Sequence, residues 1–318
     1  MTEHSTSHVA AVLAAAVLWG TTGTVASFAP AGSSPLLIGL ATFGFGGVLL
    51  LLRAPRAILT LLRRPGANWP WLLFGTIGIV VYPTTYYISM SLIGVAAGNV
   101  VALGSGPLFA ALLDRLLRRK RLTARWVVAT VVAVTGIGLL SFGVSSHGVA
   151  GATSTDATVA GVALGLVAGL GYAAYSVAGS AVIATGISSS VAMGTMFFAG
   201  SLLMVPWFFV AGPGPLAEPR GILILVYLAV VPMALAYLAF GYGLRMLSAS
   251  TVTTLTLVEP LVATALAIVV VGERLNPVGW IGFGLVALGL VIVTSAGVRL
   301  APRSRRTSAV VAPGDISD

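Results

Sequence analysis

Of the eight acidic residues in the chain, only Glu259 sits deep inside an apolar run, TLTLVEPLVATALAIVVVGERL (Thr254–Leu275). Glu3, Asp156, Glu218, Asp315 and Asp318 fall in tails or loops, and Asp114 and Glu273 fall at the ends of apolar runs. A charged carboxylate facing lipid at the bilayer centre costs on the order of 2.5–3.5 kcal/mol or more, so Glu259 is expected to face a bundle interior or a wet cavity. Two roles fit it there. It can carry a proton, or meet a substrate's amino group, as a cavity switches sides. Alternatively, it is a protonated or hydrogen-bonded prop for the helix break at Pro260, whose ring removes the bond to the carbonyl of Thr256. Thr253 and Thr256 can share that duty.

The other side chains able to touch a solute are aromatic or amide. Trp19, Tyr82, Tyr86, Tyr172, Tyr175, Tyr237 and Tyr242 lie within apolar runs, and Asn99 is the only amide that does. Tyr82 and Tyr86 share a helical face, as do Tyr172 and Tyr175 within one turn. Each aromatic can stack on or hydrogen-bond a ligand. Interfacial belts also favour Trp and Tyr, the reading given to Trp207 and Trp280, and interhelical hydrogen bonding is the plain alternative for Asn99. No Lys, Arg or His lies deep enough to meet a phosphate; Arg245 comes nearest and is expected to snorkel to the headgroups. The candidate site therefore suits a neutral, zwitterionic or cationic small molecule.

Enzymatic readings lack their parts. The chain has no cysteine, no HExxH and no GxxxxGK[ST] loop, and His4, His8 and His147 fall in a tail or loop. No catalytic residue, metal or cofactor is expected. A net charge of +9 would suit nucleic acid only if it formed a patch, and the basic residues are instead scattered through short links.

These residues are positioned by a membrane-type chain: 58% of residues are hydrophobic, 8% are charged, and mean hydropathy is +1.04. Apolar runs of crossing length are read at 9–29, 34–53, 69–90, 95–114, 124–143, 158–179, 188–211, 221–244, 250–271 and 277–297. They lack the alternation of a barrel, so the fold class is an all-α membrane protein of ten transmembrane helices. With the N-terminus inside, fifteen of the seventeen Lys and Arg residues fall in cytoplasmic links or the tail, leaving only Arg220 and Arg274 outside. Both termini are then cytoplasmic. Residues 1–8 read as a short N-terminal tail and 298–318 as a disordered cytoplasmic tail. The basic cluster of that second tail needs no partner beyond its topological role.

A shift of 153 residues aligns Pro107 with Pro260, Arg121-Leu122 with Arg274-Leu275, Thr42 with Thr195, Gly47 with Gly200 and Gly136 with Gly289, with no gap. Trp19 falls on Tyr172. The repeats read as 9–153 (helices 1–5) and 154–297 (helices 6–10). An odd number of helices per copy sends the second through the membrane in the opposite sense, the inverted arrangement of many secondary transporters. The glycine stripe Gly161, Gly165 and Gly169 reads as close packing inside the bundle, with a dimer face possible but not required.

Trp19-Gly20, Glu259-Pro260, GERL at 272–275 and GWIGFGLVALGLVIV in the last run resemble the EamA type of the drug/metabolite transporter superfamily, over residues 9 to 297. The resemblance implies export of amino acids or related small metabolites across a bacterial inner (plasma) membrane, through a cavity lined mainly by helices 1, 3, 4, 6, 8 and 9. It adds the lipid bilayer and a small-molecule substrate as partners, with protons as a coupling ion if Glu259 titrates. Many first copies carry Gly-Glu near the end of helix four; this chain has Arg119-Lys120-Arg121 there. An uncoupled facilitator and a non-transporting partner subunit remain the alternatives.

Overall fold

The computed structural model describes residues 3–93, 95–118, 123–143, 155–271 and 276–294, and among these there are helices and no strands. The side chains of 3–5, 95–97, 99–100, 140–143, 267, 271 and 293–294 are outside that description. In chain order the helices are α1 (Glu3–Ala26), α2 (Pro35–Arg53), α3 (Pro55–Arg63), α4 (Trp69–Ile93), α5 (Val95–Arg118), α6 (Ala124–Gly143), α7 (Thr155–Ala184) and α8 (Ser189–Ala211). Next come α9 (Pro219–Leu228) and α10 (Ala236–Gly243), joined without a gap by a π-helical stretch, Ala229–Leu235. In the same way a 3-10 turn, Thr256–Val258, joins α11 (Ala249–Leu255) to α12 (Glu259–Leu266), before a π-helical stretch Ala267–Val271 and α13 (Pro277–Thr294).

Seven of these helical segments are long and apolar enough to cross a membrane, and two shorter apolar stretches, Ala124–Leu139 and Pro277–Ile292, lie in α6 and α13. Local chemistry sets several boundaries. Ser188 and Ser248 cap α8 and α11, accepting from the backbone N–H of Val191 at 3.4 Å and of Thr251 at 3.1 Å. Proline opens α2, α3 and α9, where the missing N–H costs nothing. Gly212, at φ 79°, ends α8 in a backbone conformation that other residues resist.

Two expectations change. α1 starts at Glu3, so residues 3–8 belong to the first helix and are no tail; His8 is buried, its ring stacked on that of Tyr242 at 4.3 Å. The basic link after α2, expected only to connect two spans, contains a further short helix, α3. The segments 119–122, 144–154, 272–275 and 295–318, with Arg119-Lys120-Arg121, His147, Glu273, Arg274 and the tail expected to be disordered, lie outside the described residues.

Packing follows a pattern of pairs: α2 lies against α8, α6 against α13, α4 against α7, α5 against α7, and α1 against both α10 and α12. Glycine makes the crossings close. A Cβ on Gly78 would stand 2.6 Å from the carbonyl oxygen of Gly171, and one on Gly171 would stand 3.0 Å from that of Gly78. Gly136 and Gly289 each meet the opposite helix across α6 and α13, a Cβ on the first standing 2.6 Å from Val286 N and one on the second 2.7 Å from Ala129 O. The stripe Gly161, Gly165 and Gly169 of α7 packs inside the bundle against Ile93, Val101 and Ser105, and Ser89 donates to the Gly161 carbonyl at 2.7 Å. Outward faces carry apolar side chains, among them Leu203, Trp207 and Trp280.

Candidate functional site

Around Pro260 the backbone stays helical but changes type. Pro260 cannot donate to the carbonyl of Thr256, and the chain tightens into the 3-10 turn Thr256–Val258 before restarting at Glu259. Threonines supply polar partners around this turn. Thr253 Oγ1 donates to the carbonyls of Ala249 (3.0 Å) and Ser250 (3.1 Å), and Thr256 Oγ1 donates to Thr253 O at 2.9 Å. Tyr172 of α7 reaches Thr256 Oγ1 at 2.6 Å. In α5, by contrast, the helix runs on through Pro107.

Glu259 is half-buried, and its carboxylate interacts electrostatically with Tyr82, Tyr86 and Tyr87 of α4, Tyr172 of α7 and Tyr237 of α10. Its backbone lies against α1: a Cβ on Gly20 would stand 3.1 Å from the Glu259 carbonyl oxygen and 2.6 Å from Val262 Cβ. Any larger residue at position 20 would push α12 away, which explains the glycine beside Trp19.

One aromatic network joins these helices. Tyr87, Tyr86, Tyr82 and Tyr172 follow one another with ring centroids 5.3, 5.5 and 5.7 Å apart. Tyr175 and Tyr237 share a hydrogen bond of 2.8 Å, and Phe197 packs on Tyr237 at 4.3 Å. Trp19 is 4.9 Å from Tyr237 and donates its indole N–H to the Pro232 carbonyl at 2.6 Å. That carbonyl belongs to the π-helical stretch, where the regular ladder is interrupted and an outside donor is welcome.

The network divides by exposure. Tyr175, Tyr237, Phe197, Phe240, Tyr172 and Trp19 are buried, and the hydroxyls of Tyr172, Tyr175 and Tyr237 are engaged with the protein. Tyr82, Tyr86, Tyr87 and Glu259 are only partly buried. In this conformation the first group forms a closed layer, and the second offers aromatic faces and a carboxyl group, a combination that can hydrogen-bond an ammonium group and stack on flat or apolar ones.

Trp19, Tyr82, Tyr86, Tyr172, Tyr175, Tyr237, Thr256, Glu259 and Pro260 thus come together. Asn99 lies on α5, its side chain outside the described residues, and Tyr242 lies apart, between His8 and the guanidinium of Arg245, 5.3 Å from its ring centroid. Sequence reasoning missed Tyr87, which follows Tyr86 but turns toward α2, its ring against Gly39. Phe43, Phe197 and Phe240 were also missed, because a phenylalanine in an apolar run carries no signal. It also missed Asp114, which is fully buried on α5 and pairs with Arg118 at 3.5 Å; Arg118 in turn donates to Ser180 Oγ of α7 at 2.6 Å.

Membrane-length helices around a partly buried carboxylate and tyrosine cluster define a multi-pass membrane protein of the transporter class. The chain belongs to the EamA-like transporter family, whose sequence profile matches residues 6–142 and again 159–295. The two matches are offset by 153 residues (159 − 6 and 295 − 142). It is 32% identical over 297 residues to the uncharacterized transporter YwfM of Bacillus subtilis (strain 168), covering 93% of this chain and 95% of that one. The uncharacterized inner membrane transporter YedA of Escherichia coli (strain K12) is 29% identical over 63% of this chain and 61% of its own. A probable terminal-alkyne amino-acid exporter of Streptantibioticus cattleyicolor is 26% identical over 87% of this chain and 92% of its own. A solved crystal structure shares the fold, with a TM-score of 0.76 at 21% identity over 92% of this chain and 98% of that one.

Proposed function

We propose that the chain is a secondary transporter that exports amino acids or related small metabolites by alternating access through a central cavity. The cavity lies between two inverted five-helix halves, residues 9–153 and 154–297, in a bacterial inner membrane with both termini cytoplasmic. The observation that carries this reading is the position of Glu259, half-buried beside Pro260 where α11 gives way to α12, and close enough to interact electrostatically with tyrosines contributed by both halves. The pairing of helices supports the inversion: under the 153-residue shift α2 packs on its own counterpart α8 and α6 on α13, while α4 on α7 answers to α10 on α1. The distribution of Lys and Arg supports the orientation. The amino-acid exporter among the relatives supports the substrate class.

Proton coupling through Glu259 is the finer part of the proposal. A carboxylate that exchanges a proton for substrate between the two faces makes efflux depend on the pH gradient, and a fixed prop for Pro260 does not. Purified protein in liposomes, loaded with a panel of radiolabelled amino acids, distinguishes the two. Wild type is expected to release substrate faster with a pH gradient, and Glu259→Gln to lose that dependence. PH-dependent flux that survives in the variant removes the proton role; flux in wild type without pH dependence favours a facilitator, and no flux across the panel favours a partner subunit.

A further inference from the structure

The short helix α3 holds a site apart from the aromatic centre. At nine residues it cannot cross a bilayer, and it joins α2, which ends in Arg53, to the segment that opens α4 with an exposed Trp69. It is amphipathic. Ile58 is fully buried with its Cδ1 over Gly194 of α8, while Arg56, Thr60, Arg63 and Arg64 are exposed. A helix of this kind lies in the interface plane with its apolar side inward.

Beside it runs an open groove of about 490 Å³ whose walls are of two kinds. Leu61, Ile187 and Val191 are apolar, whereas Arg56 and Arg64 bring two guanidinium groups, Arg56 from the helical face it shares with Thr60 and Arg64 from the residue that caps the C-terminus of α3. Thr60 Oγ1 donates to the Arg56 carbonyl at 2.7 Å, so its hydrogen is committed. Neither Arg56 nor Arg64 takes part in an ion pair within the described residues. Two unneutralised forks above an apolar wall, at the level where the spanning helices end, match a ligand with an anionic head and a hydrocarbon body.

We propose that this groove binds an anionic phospholipid of the adjoining leaflet, its phosphate between Arg56 and Arg64 and its acyl chain against Leu61, Ile187 and Val191. Guanidinium is suited to phosphate because its planar N–H groups bind two oxygens at once. A soluble phosphate would use the guanidinium groups and gain nothing from the apolar wall, so the amphipathic lipid is the better fit. The bound lipid would tie the link between α2 and α4 to the start of α8. The inference needs only that the helices sit in a bilayer and is independent of any transport activity.

Native mass spectrometry of the purified full chain tests it, with phosphatidylglycerol and phosphatidylcholine of matched acyl chains added in competition. Wild type is expected to retain phosphatidylglycerol over phosphatidylcholine by about tenfold, in line with the attraction of paired Arg residues for anionic lipid. Arg56→Gln with Arg64→Gln should lose most of that preference, and Arg220→Gln, exposed at the start of α9, should keep it. Arg56→Lys with Arg64→Lys keeps the charge without the forks and should fall between, which serves if the glutamine pair fails to fold. Equal retention of both lipids, a preference unchanged in the glutamine pair (or in the lysine pair, if that is the one that folds), or displacement of the lipid by millimolar inorganic phosphate would overturn the assignment.

Discussion

Replacing Gly78 with alanine places a methyl group against the backbone of α7 where α4 crosses it. The new Cβ would stand 2.6 Å from Gly171 O, 3.1 Å from Ala174 Cβ and 3.1 Å from Tyr175 N, where ordinary contact begins at 3.4 Å. The helices must part by 0.8 Å (3.4 − 2.6) or the backbone must bend. Overpacking against backbone atoms that cannot yield falls in the upper half of the usual range, about 2–3 kcal/mol, and the better helix propensity of alanine returns about 0.8–1.0 kcal/mol of it. The net expectation is a loss of about 1–2 kcal/mol, seen as a fall in Tm of about 2–6 °C. Because Tyr175 leads directly into the buried aromatic layer, flux in liposomes should fall as well. Thermal unfolding monitored by size exclusion in one detergent measures the first effect. Gly284→Ala, exposed on α13 with open space around the new methyl, is the control and should lose nothing. If Gly78→Ala unfolds with wild type, or the control falls as far, the close crossing is wrong.

Trp19→Phe removes the donor to the Pro232 carbonyl in the π-helical stretch and should lower stability by about 0.6–1.7 kcal/mol, while Trp207→Phe, 56% exposed, should not. The same unfolding assay ranks them. Tyr175→Phe and Tyr237→Phe each delete the one hydrogen bond they share, so the double variant should lose clearly less than the singles added together, with a coupling of about 0.5–1.5 kcal/mol. Arg118→Met removes the ion pair that Arg118 makes with the buried carboxylate of Asp114 and should cost up to about 3 kcal/mol, partly recovered by adding Asp114→Asn.

The change of helix type before Glu259 coincides with two strong local signals: a charge that lipid rejects and a proline that a helix rejects. Proline alone would not have been enough. Pro83, Pro107 and Pro206 all lie within continuous helices, whereas Pro232 sits in a π-helical stretch. The residues next to each proline do not separate these cases, and a distant partner such as the Trp19 indole on the Pro232 carbonyl is seen only in the fold. The same limit explains the tyrosines. Their types marked them as candidates, but the pairing of Tyr175 with Tyr237 and of Tyr172 with Thr256 depends on how the helices cross. Residues 3–8 are polar enough to read as a tail, and only the ring of Tyr242 against His8 shows why the helix begins there. α3 was missed because four arginines within Arg53–Arg64 dominate the composition and hide the buried Ile58.

Glu259 is proposed to face a solvated chamber, and the absence of cysteine from the chain allows a clean test. Glu259→Cys and Leu203→Cys, the latter 63% exposed at the middle of α8, are each labelled in intact membranes with a water-soluble maleimide. Only a thiolate in contact with water reacts, so Glu259→Cys is expected to label at least about ten times faster than Leu203→Cys. Equal rates, or a silent position 259 beside a reactive 203, would contradict the account.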